Sequence, residues 1–316
     1  MFLNIALTGA TGFVGSKVVA ELLANKHAVT ALVRDVTKAN LPDGVKLVRG
    51  DLQNDAALDA LTKSSNVIIH IAGLISAVKR QDYFVANEQG TRAVAQAAMR
   101  NGVKRFVHVS SLSAREPQLS TYGASKLAGE TVLAECEGKL SHVILRPPAV
   151  YGPGDKATLP LLKALTQSLA VLPGRADARF SLIHVDDLAR IIVDAAASKR
   201  TGIVELGDGC AQGHDWKELA RVAAVVEHRS VTVVFLPKFV PYTFAFVAEA
   251  VAKLSRNPSI MSREKINELY HKDWVAQGKG WPLKGPIGFA QGFAETLSWY
   301  RSEGWLPQSM HTKIMT

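Results

Sequence analysis

The stretch LTGATGFVG at residues 7–15 decides the fold. It sets glycines at 9, 12 and 15 directly behind the apolar run FLNIAL (2–7) and ahead of a helix-forming pattern over 13–25. A strand that enters a glycine turn and leaves it as a helix suits a phosphate-binding loop. The glycines permit the turn, let backbone approach a pyrophosphate and let the helix lie close on its sheet. The helix N-terminus adds free N–H groups and the positive end of a dipole. Gly9, Thr11, Gly12, Phe13, Val14 and Gly15 are therefore the first candidate cofactor contacts.

Working outward, β-rich apolar runs recur at 4–8, 28–33, 46–49, 67–71, 105–110 and 142–146, with helical patterns at 13–25, 55–63, 83–100 and 121–138 between them. Alternating strands and helices predict βαβ units, and near-continuous Val, Ile and Leu predicts strands buried on both faces. The expected fold class is α/β, a Rossmann-type doubly wound parallel sheet. Residues 1–150 form its dinucleotide-binding domain, and 151–316 form a smaller C-terminal substrate lobe with segments returning to the sheet. In that lobe the sequence predicts a helix around 157–169, one short strand in RFSLIHV (179–185), a helix over 185–198 and a loose tail from 308.

The 316 residues are 47% hydrophobic and 21% charged, which is ordinary globular composition. Two cysteines make neither a disulfide framework nor a zinc site and suit a reducing compartment, and a strand-like run beginning at residue 2 leaves no room for a secretory leader. The expected location is cytoplasmic. A net charge of +9 raises nucleic acid as a partner, but the basic residues are scattered without a run or an aromatic-interleaved motif. The reading is no nucleic acid; the basic field suits a phosphorylated cofactor or an anionic partner. The stretch VTVVFLPKFVPYTFAFVAEAVAKL (231–254) is broken by Pro237, Lys238, Pro241 and Glu249 and does not span a bilayer. Ordinary core packing is the favoured reading for it, ahead of a mobile cover for the substrate or a membrane-surface helix.

The end of the second predicted strand distinguishes a ribose hydroxyl from a 2′-phosphate. Val33 stands where an acid would close it, followed by Arg34, whose forked guanidinium suits a phosphate, with Lys38 nearby. NADP(H) is favoured and NAD(H) remains open, because a one-residue shift would bring Asp35 to the ribose. An Arg34–Asp35 surface pair is the bland alternative. No metal is expected.

Further on, STYGASKLAGE sets Tyr122 and Lys126 four apart on one helical face. A neighbouring ammonium favours the phenolate, so Lys126 is expected to lower the Tyr122 pKa and to hold the nicotinamide ribose while Tyr122 exchanges a proton with substrate. The strand RFVHVSS ends in Ser110-Ser111 at the carboxyl edge of the sheet. Ser111 is the expected hydroxyl for the reacting oxygen, with Ser113 second and helix capping the alternative.

With these come TGATGFVG, GDLQND, NEQGTRAV, RFVHVSS, YGASK, RPPAVYGPGD and IHVDDLAR, in that order. The sequence resembles, over essentially its whole length, the extended short-chain dehydrogenase/reductases of the NAD(P)-dependent epimerase/dehydratase superfamily. The resemblance implies that Asp51 and Leu52 flank the adenine and that Ala72 and Gly73 pass the cofactor's ribose and phosphates. It further implies that Asn87 is the family's helix asparagine near the catalytic Ser111, Tyr122 and Lys126, and that Pro147 and Pro148 wrap the nicotinamide end. Arg179 falls near the position of a substrate-phosphate arginine, and His184, Asp186 and Asp187 read as lobe-stabilising residues. A homodimer through the helices at 83–100 and 121–138 is also implied.

Eleven positions separate Ser111 from Tyr122, and the C-terminal region is aromatic, which looks more like the hydroxysteroid-dehydrogenase and dihydroflavonol-reductase branches than a sugar-nucleotide lobe. The leading reading is an NADP(H)-dependent oxidoreductase acting on the carbonyl or secondary alcohol of a small, apolar molecule. A sugar-nucleotide epimerase or dehydratase with bound NAD is the second. A non-catalytic accessory subunit of a larger assembly, such as respiratory complex I, is the third.

Overall fold

The computed structural model describes residues 2–255 and 262–308, so the expected tail lies, apart from its first residue, outside the described residues. In chain order the strands are β1 (Asn4–Thr8), β2 (Ala28–Val33), β3 (Val45–Arg49), β4 (Val67–His70), β5 (Arg105–Val109), β6 (Ser141–Arg146), β7 (Ala149–Tyr151), β8 (Leu169–Pro173), β9 (Arg179–Phe180), β10 (Leu182–His184), β11 (Gly202–Glu205), β12 (Thr232–Leu236) and β13 (Asp273–Trp274). The α-helices are α1 (Phe13–Ala24), α2 (Asp55–Thr62), α3 (Arg80–Phe84), α4 (Gly90–Arg100), α5 (Thr121–Ala134), α6 (Leu159–Leu165), α7 (Val185–Ala197), α8 (Trp216–Val226), α9 (Phe239–Ser255), α10 (Arg263–Leu269) and α11 (Phe289–Ser302).

Seven strands form one parallel sheet in the order β11-β6-β5-β4-β1-β2-β3. The chain leaves β1 toward β2 on one side and returns beside it as β4, so a crevice opens between β1 and β4 at the carboxyl edge. Both faces of the sheet are buried. Ile5, Leu7, Ile69 and Val107 meet α1 and α7 through Val18, Leu22, Leu188 and Ile192. Their strand neighbours Ala6, Ile68 and Phe106 meet α2, α4 and α5 through Leu58, Val94 and Leu133. The period-two alternation thus feeds two cores, which is why the strands read as continuous apolar runs. A third core, around Tyr151, Leu165, Trp216, Phe289 and Phe293, holds the C-terminal lobe.

Three expectations are corrected. The helix over 83–100 is interrupted by a π-helical turn at Val85–Gln89, between α3 and α4. RFSLIHV is two strands separated at Ser181, because β9 pairs with β13 and β10 with β7 in two different small sheets. The stretch 231–254 is core only in part: Val231, Val233 and Phe235 pack against the third core, but the large side chains of its helix do not. Its strand β12 pairs with β8, and its helix α9 buries Pro241, Ala245 and Ala252 while Phe239 and Phe244 stand 72% and 71% exposed. Apolarity gave no direction there, since α9 is apolar on both sides and the small residues face inward. Among the described residues no helix is long and apolar enough to cross a membrane.

Candidate active site

The glycine turn lies at the switch point. Gly9 adopts φ +81°, and a side chain there would come within 2.7 Å of the Ala72 amide nitrogen, so β1 and the loop after β4 close on each other. A side chain at Gly15 would lie 1.9 Å from the Gly9 carbonyl oxygen, which fixes α1 tightly under the turn. Gly12 caps α1 without a side-chain hydrogen bond, no acidic residue occupies the first turn, and Thr11 and Gly12 are exposed. An uncapped helix N-terminus with an open backbone face fits a pyrophosphate. Phe13 and Val14 are partly buried in the first turn of α1. The Ala72 amide donates to Thr8 Oγ1 at 3.3 Å, and the Thr8 hydroxyl is paired at 2.7 Å with buried His70.

At the end of β2 the Arg34 side chain is exposed and makes no ion pair among the described residues. The bland Arg34–Asp35 pair is not formed. Asp35 Oδ1 accepts hydrogen bonds from the Thr37 amide (3.0 Å) and hydroxyl (2.6 Å), and its other oxygen lies 3.5 Å from Lys38 Nζ. The Thr37 contacts lead in holding this carboxyl below its usual range. Lys38 is thereby drawn to Asp35, and Arg34 is the group left open. Asp51 accepts from the Gln53 amide at 2.9 Å and lies exposed, while Leu52 sits against Gly90 at the head of α4.

The chain after β5 gives Ser111 and a short 3-10 turn, and Ser120 caps α5 by accepting from the Gly123 amide at 2.9 Å. Ser111, rather than Ser113, is the hydroxyl that acts on the Tyr122 phenol, and it also caps the 3-10 turn, its Oγ accepting from the Ser113 amide at 3.2 Å. Burial pushes the Tyr122 phenol up to about 12, the Ser111 hydroxyl opposes the rise, and Glu268 and Tyr83 add to it. Lys126, one turn on, donates from Nζ to the Val109 carbonyl at 2.8 Å, and burial pulls its ammonium down to about 8. The expected lowering of the tyrosine by Lys126 is therefore not found. Desolvation dominates both groups, and the ammonium gives one of its three N–H donors to the strand carbonyl. Pro147 is buried, and its carbonyl accepts from the Leu112 amide at 2.8 Å, tying the end of β6 to the Ser111 loop.

Asn87 occupies the π-helical turn. Its Oδ1 accepts from the Leu74 amide at 2.8 Å, and its Nδ2 donates to the Leu74 carbonyl (3.0 Å) and Ser125 Oγ (2.8 Å). A side chain on Gly73 would meet Asn87 Oδ1 at 2.7 Å and Lys126 Nζ at 3.7 Å. Asn87, Gly73 and Lys126 are thus brought together, with Asn87 in a positioning place between α5 and the loop after β4.

Several groups around the site escaped the sequence reading. Tyr83 packs its ring 6.5 Å from that of Tyr122. Behind the serines, buried Glu130 accepts from Ser110 Oγ and, at 2.9 and 2.6 Å, from Arg146; Glu205 then links Arg146 (3.5 Å) to Arg115 (3.1 Å). Glu264 accepts from the Thr121 amide and hydroxyl, both at 2.7 Å, and Glu268 from Ser120, so α10 holds the first turn of α5. The available signal was charge inside segments otherwise apolar enough to be buried, such as Glu130 four residues after Lys126. Beside this turn opens a cavity of about 360 Å³ lined in part by Tyr83, Thr121, Tyr242, Ala252, Arg263 and Glu264. Arg179 is half-exposed and held within its lobe. Its guanidinium donates to the carbonyls of Gln212 (3.2 Å) and Gly213 (3.4 Å) and to Asp215 (3.4 Å).

A doubly wound sheet with a glycine turn at its switch point, and a Ser, Tyr and Lys set beside it, defines an NAD(P)-dependent enzyme of the short-chain dehydrogenase/reductase type. The chain belongs to the NAD-dependent epimerase/dehydratase family, whose model matches residues 5–207. It is 40% identical over 313 residues, 97% of each chain, to a ceramide reductase of Caulobacter vibrioides. Two solved structures share its fold. A UDP-N-acetylglucosamine 4-epimerase from Methanobrevibacter ruminantium matches with TM-score 0.74 at 20% identity, covering 95% of this chain and 99% of its own. The Thermus thermophilus UDP-glucose 4-epimerase in complex with NAD matches with TM-score 0.68 at 22% identity, covering 95% and 99%.

Proposed function

We propose that the protein is an NADPH-dependent reductase that converts a ketone on an apolar, ceramide-class lipid to a secondary alcohol. The observation that carries this reading is the buried Tyr122 phenol, with Ser111 acting on it and Lys126 one turn on, beside a cavity walled by α9. The 40% identity to a ceramide reductase supports the substrate class.

Bound NADPH supplies a hydride to the carbonyl carbon. The chain's own residues supply the rest. Gly9, Gly12, Gly15 and the N-terminus of α1 hold the pyrophosphate, and Arg34 meets the 2′-phosphate while Asp35 is kept busy by Thr37 and Lys38. Ser111 donates a hydrogen bond to the carbonyl oxygen. Tyr122, protonated at neutral pH because burial raises its pKa to about 12, delivers its phenolic proton to the developing alkoxide, which suits the reductive direction. Lys126 holds the nicotinamide ribose and faces the tyrosine from the next turn, and Asn87 fixes the loop past which the cofactor lies. Arg179, engaged within its lobe, gives no support to a sugar-nucleotide substrate.

The test is to incubate the purified chain with NADPH and an N-acylated long-chain 2-amino ketone in detergent, and separately with UDP-glucose. Stoichiometric loss of NADPH and appearance of the alcohol by mass spectrometry are expected in the first. Epimerised sugar without net NADPH consumption, and no reaction of the ketone, would replace this reading with the epimerase.

A further inference from the structure

Apart from the Arg263 guanidinium over Phe246, no contact is made to the large outward side chains of α9 among the described residues. Phe239, Phe244, Phe246, Val247 and Val251 are all exposed along a helix of 17 residues, about 25 Å of apolar surface. The inward face is the poorer one, with Pro241, Ala245 and Ala252. A helix that turns its large side chains outward and its small ones inward is built to be covered.

Two observations say by what. The first is charge: exposed Lys238 stands at the head of the stripe, and the Arg263 guanidinium lies 5.4 Å over the Phe246 ring. The acidic residue of the helix, Glu249, is bound to Arg263 at 2.9 Å. The whole chain carries +9. Apolar side chains rimmed by basic ones match acyl chains beneath anionic headgroups. The second is position: the inner side of α9 gives Tyr242, Glu249 and Ala252 to the cavity beside Tyr83, so the covered face lies one helix thickness from the space next to Tyr122.

We infer that α9 is a membrane-docking helix: it lies in the plane of an anionic bilayer surface and seats the cavity mouth on the lipid. The helix does not meet the length and apolarity needed to cross. The inference goes beyond the reaction proposed above, and its test contains no substrate.

The full chain is centrifuged with vesicles of phosphatidylcholine alone and of phosphatidylcholine with phosphatidylglycerol. Wild type is expected to pellet with the anionic vesicles and to be released by salt. The triple variant Phe239→Ser/Phe244→Ser/Val247→Ser is expected to lose binding by about tenfold or more while keeping its NADPH-induced thermal shift, because the altered residues are solvent-exposed. Lys238→Glu, a single change at an exposed position, is expected to weaken binding to anionic vesicles only, and it serves if the triple variant does not fold. Absence of vesicle binding by wild type overturns the inference, as does a folded triple variant that binds undiminished. A wild-type dimer that the triple variant converts to monomer, without vesicle binding, would show that a second copy of the chain covers α9.

Discussion

The ammonium of Lys126 lies 2.8 Å from the carbonyl oxygen of Val109, the last residue of β5, so the helix that bears Tyr122 is pinned to the strand that delivers Ser111. That hydrogen bond and the Ser110–Glu130 contact join the two halves of the site. Lys126→Met removes this tether and, on the proposed function, the ribose contact. We expect turnover to fall by about a hundredfold or more and NADPH affinity to drop, with Lys126→Arg restoring part of the affinity but little turnover. Stopped-flow NADPH binding together with steady-state kinetics separates the two effects.

Tyr122→Phe keeps the ring packed against Tyr83 and removes the proton donor. The expected loss is about 10²- to 10⁴-fold in kcat with NADPH binding unchanged. Wild-type kcat would take the phenol out of the mechanism.

The pH profile follows from the two shifted groups. Tyr122, pushed to about 12, remains protonated throughout the usable range. Lys126, pulled down to about 8, loses its charge as pH rises through that value. Reductive kcat/KM is therefore expected to be flat below pH about 8 and to decline above it. A decline centred near 10 instead would assign the limiting proton elsewhere.

Arg34→Ala is expected to weaken NADPH binding by roughly tenfold to a hundredfold and to leave NADH binding unaltered, the loss of a charge-assisted contact to one phosphate. Isothermal titration with both cofactors checks it. Equal weakening of both would mean that the guanidinium does not distinguish them.

Buried His70 predicts acid sensitivity. Burial first, and the Lys126 charge second, lower its pKa from 6.5 to about 3, so the unfolded chain takes up the proton before the folded one does. The stability linked to this group is present above pH 6.5 and is lost as pH falls toward 3, with a ceiling of about 5 kcal/mol. Its stacked neighbour His108 is lowered in the same direction. Denaturant titrations between pH 7 and 4 are expected to show a slope that His70→Asn reduces.

The central sheet was legible because β1, β2, β4 and β5 are buried on both faces and so read as unbroken apolar runs. The glycine turn was legible because Gly9 and Gly15 are demanded by backbone crowding. Less could be read where the determinant lies far along the chain. RFSLIHV is split because β13, some ninety residues later, claims Arg179 and Phe180. The π-helical turn around Asn87 leaves no trace in a 3.6-residue period. Tyr122 and Lys126 were found by spacing, yet the balance of their proton affinities was misjudged, since burial outweighs their mutual charge and burial is a tertiary property. The direction faced by α9 was hidden for the same reason.

The outermost strand of the main sheet, β11, is drawn from residues 202–205, and α7, which covers one face through Leu188 and Ile192, from residues 185–197. A nascent chain that has emerged only through β6 therefore presents an unpaired edge at Ser141–Arg146 and a sheet bare on one side. Arg105, whose guanidinium is finally received by the carbonyls of Ala195 and Arg200, waits without them. The sheet therefore gains its last strand and its α7 cover only once residues 185–205 have been made, about two-thirds of the way along the chain.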